Sequence, residues 1–162
     1  MITIEKKSLK VGKYVNTEHV DTIVRNYKQE RWVHNSERLG KPDSLSAWYS
    51  IEELQEFMER AKENGGDGVR IYFGAYPTEY PQKPEYAGRQ TVVFVATKQK
   101  ITEAGVANKD IYVQTSEGPD LLGYNSGVIC PPICNPRTFS AKGNPEVGVA
   151  LVDQGDKGMT VI

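Results

Sequence analysis

The sequence has few of the residues on which metal sites and thiol chemistry depend. Its 162 residues include two cysteines and two histidines. A structural zinc site normally needs four Cys or His ligands. His19 and His34 stand about four helical turns apart, on the predicted first helix or just past it. We therefore expect neither a metal site nor a cofactor.

Two further absences narrow the range of partners. No apolar run approaches the ~18 residues that a membrane span requires, and residues 1–13 lack the continuous apolar stretch of a secretory signal. The charges nearly balance, with 20 basic and 21 acidic residues and a net charge of −1. The composition thus gives no surplus of positive charge for a phosphate backbone. We expect a cytoplasmic protein with no membrane and no nucleic-acid partner.

The usual motifs of a catalytic nucleophile are also missing. No Gly-x-Ser-x-Gly segment occurs, and a histidine general base would have to be His19 or His34. This scarcity favours a protein without catalytic machinery. Chemistry based on carboxylate, tyrosine or lysine side chains stays open.

What the sequence does contain indicates one α+β domain over residues 1–162, a length typical of a single domain. One apolar stripe at helical spacing predicts a first helix that begins after Asn16 or Thr17 and ends by Gly40. The stripe consists of Val20, Ile23, Val24 and Tyr27. A second helix is predicted at 51–64. Two N-terminal helices followed mostly by strands favour a largely antiparallel sheet with both helices packed on one face. The strand patterns lie at about 69–76 and 91–97, near Ile111 and Val113, in a C-terminal hairpin at 147–162 and, more weakly, at 2–11.

The second helix carries the clearest local signal. Ser50 and Glu53 have the spacing of a capping box, in which each side chain accepts a hydrogen bond from the backbone N–H of the other residue. Tyr49 and Leu54 stand at the two positions of a hydrophobic staple. We expect Trp48 and Tyr49 to pack against the helix N-terminus in the core.

Two segments lack a sustained period. Residues 77–88 combine prolines with tyrosines, which predicts an irregular loop. Residues 116–146 are rich in Gly, Pro, Asn and Ser. Because a connection of about thirty residues without secondary structure is unusual, such a loop is typically either functional or disordered.

The strand at 69–76 suggests a binding surface. Arg70, Tyr72 and Tyr76 alternate along one of its faces, and Arg89 stands near the start of the next strand. An arginine beside phenols can hold a phosphate, a carboxylate or a nucleobase. The alternative is that these side chains cover the back of the sheet, with Arg70 paired to a carboxylate.

Cys130 and Cys134 form a second candidate site, with Pro131, Pro132 and Ile133 between them. The pair has one residue more than a Cys-x-x-Cys redox motif, and its prolines oppose a helix. A structural role is favoured, either as two thiols that anchor a rigid loop or as a local disulfide in an oxidising compartment.

Four segments carry a resemblance to a known group of proteins. They are the segments Ser46-Ala47-Trp48-Tyr49-Ser50, 68–74, 91–95 and Cys130-Pro131-Pro132-Ile133-Cys134. Together they resemble a group of small uncharacterised bacterial proteins over the middle two-thirds of the chain. The resemblance implies a bacterial source and a shared fold, and it implies no activity, cofactor or catalytic residue.

These observations favour a binding or accessory protein that holds a small anionic ligand or a protein partner. One alternative is a small enzyme acting on a phosphorylated or nucleotide-like substrate, with Arg70 and Arg89 as anion clamps. Another is a metal- or thiol-dependent protein centred on Cys130 and Cys134. Identical chains could also associate through edge strands, but no sequence pattern indicates that they do.

Overall fold

The computed structural model describes residues 9–134, 151–153 and 159–161, the last two ranges as backbone only. The predicted strand at residues 2 and 4, the second half of the long 116–146 segment and the turn at 154–158 lie outside these ranges. No helix in the described part of the chain is long and apolar enough to cross a bilayer.

The first predicted helix is present, with an interruption that the sequence did not indicate. Helix α1 (Thr17–Tyr27) runs through a π-helical turn, Lys28–Trp32, into α2 (Val33–Leu39). The side chain of Asn16 accepts a hydrogen bond of 2.9 Å from the His19 N–H, which confirms the predicted N-cap. Gly40 ends α2 with a φ of +68°, a conformation that glycine adopts without a steric cost.

Helix α3 (Ile51–Glu63) confirms the second prediction almost residue for residue. The Ser50 hydroxyl accepts from the Glu53 N–H at 3.1 Å, and the Glu53 carboxylate accepts from the Ser50 N–H at 2.7 Å. Only Phe57 and Ala61 of this helix are buried. The sequence pattern also predicts Ile51, Leu54 and Met58 as buried, but Ile51 is 72% and Met58 43% exposed.

The rest of the described secondary structure consists of ten strands and a 3₁₀ turn, Pro84–Tyr86. Every pairing between the strands is antiparallel. The α+β class is confirmed, but the strands form several small sheets instead of one. The main sheet has the order β2-β3-β4, with β7 also paired to β3, and the other pairs are β1-β8, β5-β6 and β9-β10. The bounds are β1 Ser46–Trp48, β2 Gly68–Ala75, β3 Gln90–Thr102, β4 Gly105–Asp110, β5 Tyr112–Thr115, β6 Gly118–Leu121, β7 Gly123–Tyr124, β8 Val128–Cys130, β9 Leu151–Asp153 and β10 Met159–Val161.

The long irregular loop predicted at 116–146 is wrong for its first half, which contains β6, β7 and β8. These strands have two to four residues each, too few for an alternating pattern to stand out. Two of them pair with distant partners, since β8 pairs with β1 and β7 pairs with β3. Such pairing depends on tertiary contacts, which local composition does not encode.

The core consists of two clusters. One joins α3 to the main sheet through the buried residues Phe57, Ala61, Ala96 and Leu122. The other contains Tyr76, Tyr86 and Ile129.

Aromatic contacts fix the start of α3 on the main sheet. The ring of Tyr49 meets that of Phe94 edge-on with centroids 5.0 Å apart, and Phe57 lies 5.7 Å from Tyr124. Tyr49 therefore packs as predicted. The same expectation for Trp48 is wrong, because its side chain is 53% exposed. Trp48 is the last residue of β1 and Tyr49 lies between β1 and α3, so the two neighbouring side chains have different surroundings.

We predict that Ser50→Ala lowers the free energy of unfolding by about 1 kcal/mol, because it removes the acceptor for an N–H in the first turn of α3. Urea unfolding at neutral pH measures the change. Glu59→Ala on the exposed side of the same helix is the control, and it should alter stability by less than about 0.5 kcal/mol. Equal losses in the two variants would contradict the role of the cap.

The same capping box predicts a pH dependence. The hydrogen bond from the Ser50 N–H holds the pKa of Glu53 below its usual value, while partial burial opposes this shift. The stabilisation is therefore complete above the unfolded pKa of about 4.3 and is lost as the pH falls through the lower folded pKa. We expect the stability difference between the native chain and Glu53→Gln to shrink over that range in urea titrations. A difference that does not vary with pH would refute this assignment.

Candidate functional site

The structure brings Arg70 and Tyr72 together on the carboxylate of Asp110. Arg70 Nη1 lies 2.5 Å from Asp110 Oδ1, and the Tyr72 hydroxyl donates to Asp110 Oδ2 at 2.6 Å. Arg70 Nη2 also donates to the Asn108 carbonyl oxygen at 2.7 Å. The guanidinium thus has protein partners on both terminal nitrogens, which is the arrangement that the sheet-covering alternative describes.

Tyr76 and Arg89 do not join this group. Tyr76 stands six positions after Arg70 on an extended chain, a separation of about 20 Å. Its ring is buried, stacks on Tyr80 at 4.9 Å and donates from its hydroxyl to Asn125 Oδ1 at 3.2 Å. The four residues predicted as one anion site therefore belong to two different surroundings.

Arg89 is a buried cation. Only 7% of the residue is exposed, and Nε donates to the Glu85 carbonyl oxygen at 2.8 Å, while Nη1 has no hydrogen-bond partner. Burial lowers the pKa of Arg89, and the negative charge of Asp43 opposes that shift. Because Arg89 is almost fully buried, it is not presented to a ligand in solvent.

The described surface contains a cavity of about 700 Å³ between α1, the π-helical turn, β1 and the adjoining ends of β2 and β3. Its volume lies within the range of small-molecule sites. Its walls are mostly apolar and come from Ile23, Val24, Leu45, Ala47, Phe73 and Val92. The sequence predicted the first two as part of a core stripe, yet Ile23 is 54% exposed and α1 has no buried residue.

A hydrogen-bonded set of polar groups forms one side of the cavity. The Tyr27 hydroxyl donates to Gln90 Oε1, and the Ser44 hydroxyl donates to the Gln90 carbonyl oxygen. Burial raises the pKa of Tyr27, with a further contribution from Asp43. The phenol is therefore neutral at physiological pH and stays a fixed donor.

Arg31 is the one charged side chain among the described residues that line the cavity. It belongs to the π-helical turn and is exposed, and no described carboxylate lies within ion-pair distance of it. π-Helical turns are rare and often occur at functional sites. Arg31 thus offers, next to an apolar chamber, a positive charge that no described carboxylate pairs with.

Sequence reasoning did not find this site. The sequence pattern assigned no role to Arg31 and placed Tyr27 in the apolar stripe of the first helix. Arg31 lies within a π-helical turn, where the regular angular positions that helical periodicity assumes do not hold. One local signal near the cavity was available: Asp43 directly follows Pro42, and this combination is typical of a structured turn.

Cys130 and Cys134 form a disulfide, with their Cα atoms 4.6 Å apart. The bond closes the chain that leaves β8, where the Ile133 N–H donates to the Ile129 carbonyl oxygen at 3.0 Å. Of the two structural roles expected for this pair, the structure has the disulfide. Within residues 9–134, no three His, Cys, Asp or Glu side chains converge in a way that could hold a metal ion.

Comparisons of the chain with protein-family models, curated proteins and solved structures found no match. The resemblance to a group of small bacterial proteins therefore stays a prediction.

We predict that the disulfide stabilises the fold by about 2 kcal/mol, the chain-entropy value for so short a loop. Chain purified without reductant and then denatured should show no titratable thiol, and reduction should release both. Reductant should lower the free energy of unfolding of the native chain and leave that of a Cys130→Ser, Cys134→Ser variant unchanged. Thiols that titrate before reduction would contradict the pairing.

Proposed function

We propose that the protein is a binding protein without catalytic machinery, and that it holds a small ligand with an apolar body and one anionic group. The observation that carries the proposal is the cavity beside α1, where apolar walls meet the guanidinium of Arg31. The proposal keeps the anionic ligand expected from the sequence and moves its place from the Arg70 face to this cavity.

The walls suit the apolar part of such a ligand. Burial of apolar surface contributes roughly 25 cal/mol per Å², so the chamber can supply most of the binding free energy. The side chains of Val24, Leu45 and Phe73 approach it from three different elements. These walls recognise shape and hydrophobicity, and a sugar or a free nucleotide would leave its polar groups unpaired against them.

The polar groups suit a single anionic end. Arg31 can form a bidentate pair with a carboxylate or a phosphate. The Tyr27 hydroxyl and Gln90 are already hydrogen-bonded to each other, so their positions are set before a ligand enters. A prearranged site loses less entropy on binding, which supports a role in specific recognition.

The same geometry offers little for catalysis. The titratable groups of the cavity are an arginine and a phenol whose pKa is raised by burial, and neither is a general base at neutral pH. The enzyme alternative placed Arg70 and Arg89 on one substrate. Arg70 is paired with Asp110 and Arg89 is buried elsewhere, so their positions give that alternative no support.

We predict that octanoate binds to the chain more tightly than octanol, and that Arg31→Gln removes this preference. Loss of a charged hydrogen bond should weaken octanoate binding by about ten- to hundred-fold and leave octanol nearly unchanged. Calorimetric titration at low salt measures both affinities. Benzoate and benzyl alcohol form a second matched pair of probes with a different apolar shape.

Three variants make the location of the site testable. Arg38→Gln removes an arginine on α2 that does not line the cavity and should have no effect. Ile23→Trp enlarges a half-exposed wall residue and should weaken both the acid and the alcohol. Arg70→Gln should leave binding unchanged. If Arg70→Gln abolished octanoate binding and Arg31→Gln did not, the ligand would lie on the Arg70 face and the proposed location would be wrong. If neither octanoate nor benzoate bound saturably, the proposal as a whole would be refuted.

A further inference from the structure

The outer edge of β2 is bare among the described strands. The main sheet begins with β2, which pairs only with β3. Three apolar residues on one face of β2 are exposed to solvent, Phe73 to 84%, Ile71 to 51% and Val69 to 40%. Natural edge strands are usually protected by a charged side chain, a proline or a bulge at mid-strand. Strand β2 has no proline, and its one charge, Arg70, lies on the opposite face and is paired with Asp110.

The main-chain groups of the same three residues point outward. The Tyr76 N–H donates to the Arg89 carbonyl oxygen, which makes this a hydrogen-bonded pair in the β2-β3 ladder. Hydrogen-bonded and non-hydrogen-bonded pairs alternate along an antiparallel ladder. Val69, Ile71 and Phe73 therefore direct their N–H and C=O groups away from β3, towards the open edge.

The sequence of β2 is complementary to itself. If a second β2 pairs antiparallel about Ile71, Val69 lies opposite the partner's Phe73 and Ile71 lies opposite the partner's Ile71. On the other face Arg70 meets the partner's Tyr72, so no like charges oppose each other. All the outward N–H and C=O groups of the three apolar residues find acceptors and donors in this register.

We infer that the partner of this edge is a second copy of the chain, which joins two main sheets through antiparallel pairing of β2 about Ile71. The pairing covers the exposed Phe73, which is also a wall of the cavity. In the dimer the partner's Val69 lies beside Phe73 at the rim of that cavity. The inference does not depend on the proposed ligand, because it rests on the unpaired edge of β2 among the described strands, the exposure of its apolar residues and the self-complementary register.

The test is the oligomeric state measured by sedimentation equilibrium from micromolar to millimolar concentration. The native chain should dimerise. Ile71→Lys places two ammonium groups opposite each other across the two-fold axis and should weaken the dimer by at least about thirty-fold. The matched control is Ile101→Lys, which should dimerise like the native chain. Ile101 is an 88% exposed apolar residue in the part of β3 that extends past the end of β2.

A charge pair tests the register separately from the fold. Phe73→Lys alone should weaken the dimer, and Val69→Asp added to it should restore association, because the carboxylate introduced at position 69 would then face the partner's lysine at position 73. Circular dichroism confirms that each variant is folded. A native chain that stays monomeric at millimolar concentration, an Ile71→Lys variant that still dimerises, or a double variant no better than Phe73→Lys would each overturn the inference.

Discussion

The carboxylate of Asp43 connects the helical part of the fold to the main sheet. It is 2% exposed, and one of its oxygens accepts hydrogen bonds from the Ser44 N–H at 2.8 Å and from the Gln90 N–H at 2.7 Å. The main-chain carbonyl oxygen of Asp43 accepts a hydrogen bond from the indole N–H of Trp32 at 2.7 Å. One residue thus fixes the π-helical turn, the segment before β1 and the first residue of β3 relative to one another.

The cavity depends on this connection. Its polar side is built from Ser44 and Gln90, the two residues whose N–H groups Asp43 holds, and Tyr27 bonds to the second of them. A buried carboxylate without partners would be costly, and each N–H left without an acceptor costs about 1–3 kcal/mol. The N–H groups of Ser44 and Gln90 both donate to the Asp43 carboxylate, which offsets the cost of burying it.

The parts of the fold that the sequence could predict are those governed by local rules. The N-cap Asn16, the left-handed Gly40 and the Ser50–Glu53 capping box each act within a few residues, and all three are present. The bounds of β2 agree with alternation along the chain to within one residue. Contacts between distant segments were not predictable in this way, and so β7, β8 and the division of the sheet were missed.

The candidate site was missed for a related reason. Arginines and tyrosines on one face of a strand suggested an anion site, but the same pattern also suits a sheet surface in which the sheet supplies its own carboxylate. Asp110 is that carboxylate, forty positions after Arg70, and no local pattern links the two. The cavity likewise forms from five separate elements, and the one charged residue among its described lining residues lies on a turn that breaks helical periodicity.

The exposed edge of β2 and the open cavity have a common physical origin. Helix α3 packs on β3 through Phe57 and Phe94, while β2 lies beyond that contact, so its apolar face extends past the cover that the helices provide. At the far end of this uncovered face Phe73 becomes a wall of the cavity. A monomer leaves that ring in water at a cost in free energy that burial would recover. An edge that accepts a second β2 removes this cost and at the same time gives the cavity a firmer wall.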